Sequence, residues 1–252
     1  MYNFPVIENK IFTSDNIEIP KRKAITRPDT NEVLSIVGTN YRLMKHEKVI
    51  DIFNEKLEKE PDQINLTTDG GVMFAKYSLP SLKSAEVAKG DIIDFSLRVF
   101  NSYNMLTSTG FEVVGKRLVC MNGMTVPKSM ASFSFKHLNN DGIHRLTDSM
   151  FNLGDTIGET VDIWKKWTHT TPSYHKIAGF YDMLDINNDI KIELLNKSYP
   201  NNTFTKTTWD HFNVLTKYTT HEMKNRGKNS LVNQRKKEAD YTNLFYTMFR
   251  GE

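Results

Sequence analysis

Residues 90–135 read GDIIDFSLRVFNSYNMLTSTGFEVVGKRLVCMNGMTVPKSMASFSF. Three runs rich in Val, Ile, Phe and Leu are separated by Gly, Asn, Ser and Pro, a punctuation typical of short strands and turns rather than of helices. In the first run Phe95, Leu97 and Val99 alternate with the intervening residues, which include Arg98. That alternation predicts a strand with one buried face and one face in solvent. We therefore expect a one-sided antiparallel meander.

The residues before this meander predict an extended arm, two hairpins and a helix. Residues 1–20 are polar with scattered apolar positions, and we interpret them as an extended arm that can end in a short strand. Hairpins are indicated at 24–37, around the turn Pro28–Asn31, and at 64–75, around Asp69-Gly70-Gly71. Between them, residues 45–60 have apolar side chains at helical spacing.

The residues after the meander predict helices. Apolar residues recur at three- and four-residue steps from Leu146 to Trp164, although Gly154 and Gly158 interrupt the pattern. Further helical patterns cover Tyr174 to Leu184, Ile190 to Asn196, Thr208 to His221, and a final stretch from Tyr241 to Met248. We predict one α+β domain over residues 1–252: an arm at 1–20, a β-rich part with one helix at 21–140, and a mainly helical part at 141–252.

Composition excludes few classes of protein. Of the 252 residues, 38% are hydrophobic, which is ordinary for a globular protein. The net charge of +3 neither favours nor excludes a nucleic-acid partner. With Cys120 as the single cysteine, an intramolecular disulfide and a repeated-cysteine zinc site are excluded. No apolar run is long enough to cross a membrane, and residues 1–12 do not have the order of a signal peptide. We expect a cytoplasmic protein without a membrane partner.

Catalytic signatures are absent from the sequence. It contains no GxGxxG, Walker, HExxH or GxSxG motif, so we predict no catalytic residues and no cofactor. A metal-dependent nuclease remains an alternative, built from carboxylates and histidines at Asp91, Asp94, Asp141, His137 and His144. A zinc site from Cys120 and the same two histidines lacks a fourth ligand, and a buried cysteine at a strand end is the ordinary interpretation. We predict no metal site.

Nucleic-acid binding has broader support from the residue types. Single-stranded DNA is held by cations that follow the phosphates and by flat side chains that contact unstacked bases. The predicted base-stacking side chains are Phe100, Tyr103 and Phe111, for which the alternative is an ordinary place in the core. The segment 224–237 is basic and contains no acidic residue, although a surface loop is the commoner interpretation of such a run. The predicted phosphate contacts are Lys21, Arg22, Lys23, Arg98, Lys116, Arg117, Lys136, Lys224, Arg226, Lys228, Arg235, Lys236 and Lys237.

Short segments spread over nearly the whole chain resemble one known family. They are RPDTN at 27–31, LSIV at 34–37, Asn40-Tyr41, Gly90-Asp91, Asn101-Ser102, RLVCMNG at 117–123, and Trp209-Asp210 with Asn213, Thr216, Tyr218 and His221. On these residues the chain resembles the domain of unknown function 932 (DUF932) family of phage- and plasmid-like proteins. The order of a helix followed by a meander is also similar to ring-forming proteins that anneal single-stranded DNA, a likeness of fold alone.

The resemblance implies a phage or mobile-element origin and a place in the cytoplasm of the host cell. Together with the cations, it favours a non-enzymatic protein that binds single-stranded DNA in recombination or replication, as an annealing protein does. The alternatives are a protein-interaction or host-modulating factor that binds no nucleic acid, and the nuclease. If the protein is a homo-oligomer, we expect the sheet edge or the N-terminal arm to form the contact, because unpaired strand edges invite pairing.

Overall fold

The computed structural model describes residues 2–78, 84–126, 132–137, 153–200, 205–224, 227 and 229–251. The predicted α+β class is confirmed, with antiparallel sheets first and helices mostly in the second half. The strands are β1 Ile7–Phe12, β2 Glu18–Arg27, β3 Glu32–Gly38, β4 Gln63–Leu66, β5 Val72–Ser78, β6 Ala85–Ala88, β7 Asp91–Ser102, β8 Thr109–Arg117, β9 Gly123–Thr125 and β10 Ser132–Phe135. The helices are α1 His46–Leu57, α2 Leu153–Trp167, α3 Tyr174–Met183, α4 Asn188–Ser198, α5 Thr208–Lys217 and α6 Ser230–Phe249.

The N-terminal residues form a three-stranded antiparallel sheet in the order β1-β2-β3. The hairpin predicted at 24–37 is confirmed, with Asn31 in the left-handed region at φ 57° where the chain reverses. Part of the predicted arm is strand β1, which pairs along β2 with Ile7 opposite Thr26. The arm is therefore built into a sheet for nine of its residues, the six of β1 and the first three of β2.

The meander predicted from residues 90–135 is confirmed as the centre of a seven-stranded sheet. Its path is β10-β8-β7-β5-β4, with β6 paired to β7 and β9 paired to β8. The hairpin predicted at 64–75 is confirmed as β4 and β5. Strand β7 lies between β5 and β8 over most of its length, and Arg98 is opposite Lys76 on one side and Glu112 on the other. Paired residues of neighbouring strands project to the same face.

One face of this sheet, the core face, carries the side chains of Phe95, Leu97 and Val99 and is covered by helices. Helix α1 buries Val49, Ile50 and Phe53 against it, as its apolar spacing predicted. Helix α2 adds Trp164, whose ring stacks on that of Phe95 with centroids 6.0 Å apart. The large aromatic rings of α2, α3, α5 and α6 then pack on one another, and the burial of this aromatic surface stabilises the fold.

The opposite face, here called the polar face, carries Ser96, Arg98 and Phe100 on β7 and is partly covered as well. The prediction of a one-sided sheet was therefore wrong. Ser96 and Phe100 are buried, at 4% and 1% exposure, because the first half of α6 lies against this face. Val232 of α6 packs on Phe74 and Phe100. The alternation of the strand placed these side chains on one face, but it gave no information on a helix from residues 230–249.

The helix boundaries follow local sequence signals. The predicted helix from Leu146 to Trp164 is confirmed from Leu153 onward, and Leu146 and Met150 lie outside the described residues. Helix α5 begins with a capping box, in which the Thr207 side chain accepts from the backbone of Asp210 and the Asp210 carboxylate accepts from the backbone of Thr207. It ends in a π-helical turn at 218–222. The last helix starts at Ser230, so the second half of the basic segment 224–237 is helical.

Candidate nucleic-acid interface

A groove lies between the polar face and the first half of α6, and we call it the α6 groove. Its floor is formed by β5, β7 and β8, and one wall by Leu231, Gln234, Arg235 and Glu238 of α6. Gln63 and Asn65 of β4 lie at one end, and Met121 and Thr220 also contribute. The pocket volume is about 300 Å³. Because alternate residues of paired strands share a face, the polar residues of four strands converge here.

Two arginines and two glutamates join α6 to the floor of the groove. Arg98 Nε lies 3.2 Å from Glu112 Oε1, and its Nη1 lies 3.3 Å from Glu238 Oε2. Arg235 donates from Nε and Nη2 to the two oxygens of Glu112, at 2.9 and 3.2 Å. The Arg235 guanidinium also lies 3.8 Å from the centre of the Phe100 ring. These contacts position α6 on the sheet and neutralise much of the charge of both arginines.

Burial affects the pKa of the groove acid. Desolvation raises the pKa of Glu238 above its ordinary value, and the nearby Arg98 offsets part of that rise. For Arg98, desolvation lowers the pKa, but the nearby carboxylates of Glu112 and Glu238 raise it by more. The pKa of Arg98 is therefore raised. Arg98 therefore stays charged, while Glu238 is the member of the network whose ionisation depends on its arginine partner.

The lining of the groove is cationic overall. Among the lining residues that the structure describes, Lys76, Arg98, Lys116 and Arg235 are cationic, and Glu238 alone is acidic. Lys76 and Lys116 are half-buried, and neither makes an ion pair with any described residue, although the register places Asp94 opposite Lys116 on the same face. Two lysines without acidic partners in a concave site attract an anion. The groove therefore has the charge expected of a phosphate-binding surface.

Three of the predicted phosphate contacts, Arg98, Lys116 and Arg235, are brought together in this groove although they are up to 137 positions apart in the sequence. The other described cations of the segment 224–237 lie elsewhere. Lys236 is exposed on α6, and Lys224 and Lys237 line a separate pocket with Lys197 and two glutamates. Arg226 and Lys228 lie outside the described residues.

The other predicted cations lie away from the groove. Lys21 and Arg22 are exposed on β2, and Lys23 beside them forms an ion pair of 2.8 Å with Glu8. Lys136 is exposed just after β10. Arg117 lies on the core face, where its Nε and Nη2 donate to the two oxygens of Asp91 at 2.6 Å each. Arg117 is thus committed to a carboxylate inside the fold and does not face the groove.

The three predicted base-stacking rings are in the interior. Phe100, Tyr103 and Phe111 are 1%, 2% and 1% exposed. Phe100 lies beneath Arg235, Tyr103 stacks on His46 with centroids 3.9 Å apart, and Phe111 packs edge-on against Phe53. None of the three offers a free face to a base. This corrects their predicted placement, and the reason is that both faces of the sheet are covered.

Sequence reasoning missed Lys76, Gln63 and Asn65. The hairpin was predicted to end at Ala75, and β5 continues to Ser78. Because Phe74 and Lys76 are two residues apart on one strand, their side chains share a face, and an extension of the strand by one residue would have placed Lys76 beside the meander. The register of β4 then aligns Gln63 with Lys76 and Asn65 with Phe74.

Many of the residues that carry the family resemblance join the meander to α5. Trp209 donates from Nε1 to Asp91 Oδ2 at 2.8 Å, so Asp91 accepts from both Trp209 and Arg117. Cys120 Sγ lies 3.5 Å from Arg117 Nη1, and Cys120 is half-buried in the turn after β8 rather than buried at a strand end. The backbone of Gly123 donates to Thr220 Oγ1 at 3.0 Å. The RLVCMNG segment therefore has a structural part in holding sheet and helix together.

A second buried polar cluster lies between the two sheets and centres on His46. Its Nδ1 lies 2.9 Å from Asn101 Nδ2, and its Nε2 lies 3.0 Å from the carbonyl oxygen of Gly70. The Asn101 Nδ2 donor requires an acceptor, so the neutral imidazole with its proton on Nε2 satisfies both contacts. Burial lowers the pKa of His46 to about 4. Burial likewise lowers the pKa of His137, whose Nε2 lies 3.1 Å from Thr109 Oγ1.

The nuclease alternative gains no geometric support. Asp91 and Asp94 are three residues apart on one strand and project to opposite faces, so they do not form a pair of carboxylates. Asp141 and His144 lie outside the described residues. Within the part of the chain that the structure describes, no group of three or more His, Cys, Asp or Glu side chains is arranged to hold a metal ion. In that same part, no helix has the length and apolar character needed to cross a membrane.

Comparison with known proteins gives one match. The family model described as a domain of unknown function (DUF932) matches residues 33–241, a range that includes the meander, the α6 groove and most of the helices. No curated protein and no solved structure matches the chain. The match covers most of the sequence, and the chain therefore belongs to the DUF932 family.

Proposed function

We propose that this member of the DUF932 family binds single-stranded DNA along the α6 groove. The observation that carries the proposal is the convergence of Lys76 of β5, Arg98 of β7, Lys116 of β8 and Arg235 of α6 on one concave surface, where Glu238 alone is acidic among the lining residues that the structure describes. A cationic surface binds phosphate groups because its side chains replace the counterions of the strand, and the release of those counterions favours binding.

The lysines and the arginines have different parts in this proposal. Lys76 and Lys116 have no acidic partner among the described residues and supply the phosphate contacts. Arg98 and Arg235 are already held by Glu112 and Glu238, so they shape the groove and contribute less net charge. The exposed Lys236 extends the cationic surface along α6. Binding is thus proposed to depend mainly on the two lysines.

The proposed biological setting is recombination or replication of a phage or mobile element, in the cytoplasm of its host and without a cofactor. The support for this setting is the resemblance of short segments of the sequence to phage- and plasmid-like proteins. Annealing of complementary strands is a natural activity for a protein that holds single strands by their phosphates without ATP. We also propose that the protein acts as a homo-oligomer, which suits a site of about 300 Å³ that holds a short length of strand in each copy.

The test is a titration of a labelled single strand, followed by fluorescence anisotropy at about 50 and about 200 mM salt. For the wild-type protein we expect affinity that falls steeply with salt. The double variant Lys76→Gln/Lys116→Gln removes two phosphate contacts, so the slope of log K against log salt should become shallower by about 1.4.

The matched control is Lys48→Gln/Lys165→Gln, which removes two exposed lysines from α1 and α2 on the helix-covered side of the sheet. This variant should keep the wild-type slope. Absence of salt-dependent binding by the wild-type protein, or an equal loss in both double variants, would remove the proposal. Strand cleavage that requires Mg²⁺ in the same mixtures would favour the nuclease instead.

A protein-interaction role is the second proposal, and exposed apolar side chains on the three-stranded sheet favour it. Ile7, Val33 and Ile36 are 45%, 59% and 53% exposed, and the register of β1, β2 and β3 places them on one face. Exposed apolar clusters are typical of contact surfaces. Val33→Ser/Ile36→Ser should lower the mass measured by light scattering if this face joins copies of the chain, and it should leave DNA affinity per site unchanged.

A further inference from the structure

The α6 groove contains hydrogen-bonding groups that a phosphate contact does not use. Gln63 donates from Nε2 to Asn65 Oδ1 at 3.1 Å, and Gln234 donates from Nε2 to the carbonyl of Thr219 at 3.1 Å. Within the described residues, the acceptors Gln63 Oε1 and Gln234 Oε1 and the donor Asn65 Nδ2 make no hydrogen bond. The groove therefore presents both donors and acceptors, as the edge of a nucleobase does.

Two apolar side chains border the same groove from different elements. Met121 comes from the turn between β8 and β9 and is 51% exposed, and Leu231 comes from the first turn of α6 and is 37% exposed. The Met121 turn is well fixed: Met121 N donates to the Arg117 carbonyl at 2.8 Å, and Arg117 N donates to the Asn122 carbonyl at 3.0 Å. Met121 adopts a φ of 59°, a conformation that non-glycine residues rarely adopt. An exposed thioether is thus held at the rim.

The volume of the groove limits what enters it. At about 300 Å³ it lies at the lower end of the range for small-molecule sites, which is about 300–1,000 Å³. A site of this size takes one ring system and not a stack of several. Lys76 of β5 and Lys116 of β8 lie on strands that β7 separates and are offset along them, so they are placed to contact different phosphates of a bound strand.

We infer that the α6 groove holds one unstacked nucleobase of the bound strand, between Met121 and Leu231. The amides of Gln63, Asn65 and Gln234 hydrogen-bond the edge of that base. The inference rests on the proposed function and adds the reason for a single-strand preference. In a duplex each base is stacked and its pairing edge is occupied, so neither the apolar pair nor the amides gain a contact.

The inference is tested with three labelled probes of equal length: an oligodeoxythymidine, a strand of the same backbone with abasic units, and a duplex. Wild-type protein should bind the oligodeoxythymidine about tenfold more tightly than the abasic strand, which is the lower part of the range for a base stacked on aromatic side chains, because Met121 and Leu231 are not aromatic. Met121→Ser/Leu231→Ser should lose this preference while keeping its salt dependence, because both lysines remain.

Leu118→Ser/Val119→Ser is the matched control. These residues belong to the same turn as Met121 and are 41% and 67% exposed, and they do not line the groove. This control should keep the tenfold preference, and circular dichroism should show all variants folded, since every changed side chain is at the surface. A loss of preference in the control equal to that in Met121→Ser/Leu231→Ser would overturn the assignment of the two rim residues.

The outcomes separate this inference from the function beneath it. Salt-dependent binding of equal strength to the base-containing and abasic strands would overturn the base site and leave single-strand binding through the lysines intact. Equal affinity for the duplex would also overturn the base site. Failure of the wild-type protein to bind any of the three probes would overturn both.

Discussion

The two faces of the seven-stranded sheet differ in chemistry although the same strands form both. The core face buries Phe95, Leu97 and Val99 beneath aromatic helices, and the polar groups of Asp91 and His46 on this side are hydrogen-bonded within the fold. The polar face is covered by half of one helix through both apolar and charged contacts, and it retains two lysines that form no ion pair with the residues described. The comparison indicates that the packing that stabilises the fold lies mainly on one side of the sheet, whereas the charge available to a ligand lies on the other side.

The largest effect should come from the aromatic packing of the core side. Phe212 is fully buried and packs on Trp167 and Phe245, with centroids 5.3 and 5.2 Å apart. Phe212→Ala should lower the free energy of unfolding by about 3–5 kcal/mol, because it removes buried surface and leaves a cavity. Urea denaturation measures this loss. Met183→Ala, at a residue 62% exposed on α3, is the control and should change stability by less than about 0.5 kcal/mol.

A somewhat smaller loss is expected when the buried carboxylate of the core side is neutralised. Asp91→Asn removes the charge that Arg117 contacts through two hydrogen bonds and that Trp209 also contacts. Leaving Arg117 unpaired should cost about 3 kcal/mol in unfolding free energy, at the lower end of the range because this side chain is 21% exposed. The free energy from urea denaturation is again the measurement.

Asp29→Asn is the control for that experiment, since Arg27 also contacts Asp29 through two hydrogen bonds, but the Asp29 side chain is 35% exposed and that of Asp91 is 8% exposed. Its effect on stability should be too small to resolve. If the two substitutions lower stability equally, the contrast between a buried and an exposed carboxylate is wrong.

Lowering the pH should reduce the stability of the fold through protonation of the buried His46. Its pKa falls from 6.5 to about 4 on folding, so the unfolded chain binds more protons between these values. Stability contributed by the neutral imidazole is complete above pH 6.5 and is lost as the pH falls toward 4. Between pH 7.5 and 4.5 the loss from this residue should be about 2.5 kcal/mol.

Urea denaturation of the wild-type protein and of His46→Gln at both pH values isolates the contribution of His46. Burial also lowers the pKa of His211 to about 4, and His211 therefore adds a pH dependence of the same sign in both proteins. The variant should lose less stability than the wild-type protein on acidification. An identical loss in the two proteins would show that His46 is not the group responsible.

The smallest effect on stability is expected from the polar face. Lys76→Gln/Lys116→Gln, which should weaken DNA binding, should change the free energy of unfolding by no more than about 0.5 kcal/mol, because neither lysine is paired with an acid among the described residues. Thermal and urea denaturation measure it. A loss comparable to that of Asp91→Asn would mean that the lysines support the fold, and the division between the two faces would fail.

The local patterns of the sequence predicted most of the elements. Alternation in residues 95–99, the Pro28–Asn31 and Asp69–Gly71 turns, and apolar spacing from Lys45 to Glu60 all depend on neighbours in the chain, and the corresponding strands, hairpins and helix are present. The same patterns placed cations on strands. They did not reveal which cations have acidic partners. Glu112 lies on the strand next to Arg98, and Glu238 is 140 positions away from Arg98 in the sequence.

The sequence by itself determined the α+β class, the antiparallel meander and membership of a family. Only the tertiary structure decided which residues form the groove: it placed α6 on the polar face, buried Phe100 and Phe111, neutralised Arg98 and Arg235, and brought Lys76 and Lys116 to the lining of one groove. The physical reason is the distance along the sequence over which each interaction acts. Backbone propensity and side-chain periodicity act over a few residues, whereas burial and ion pairing depend on segments that meet only when the chain has folded.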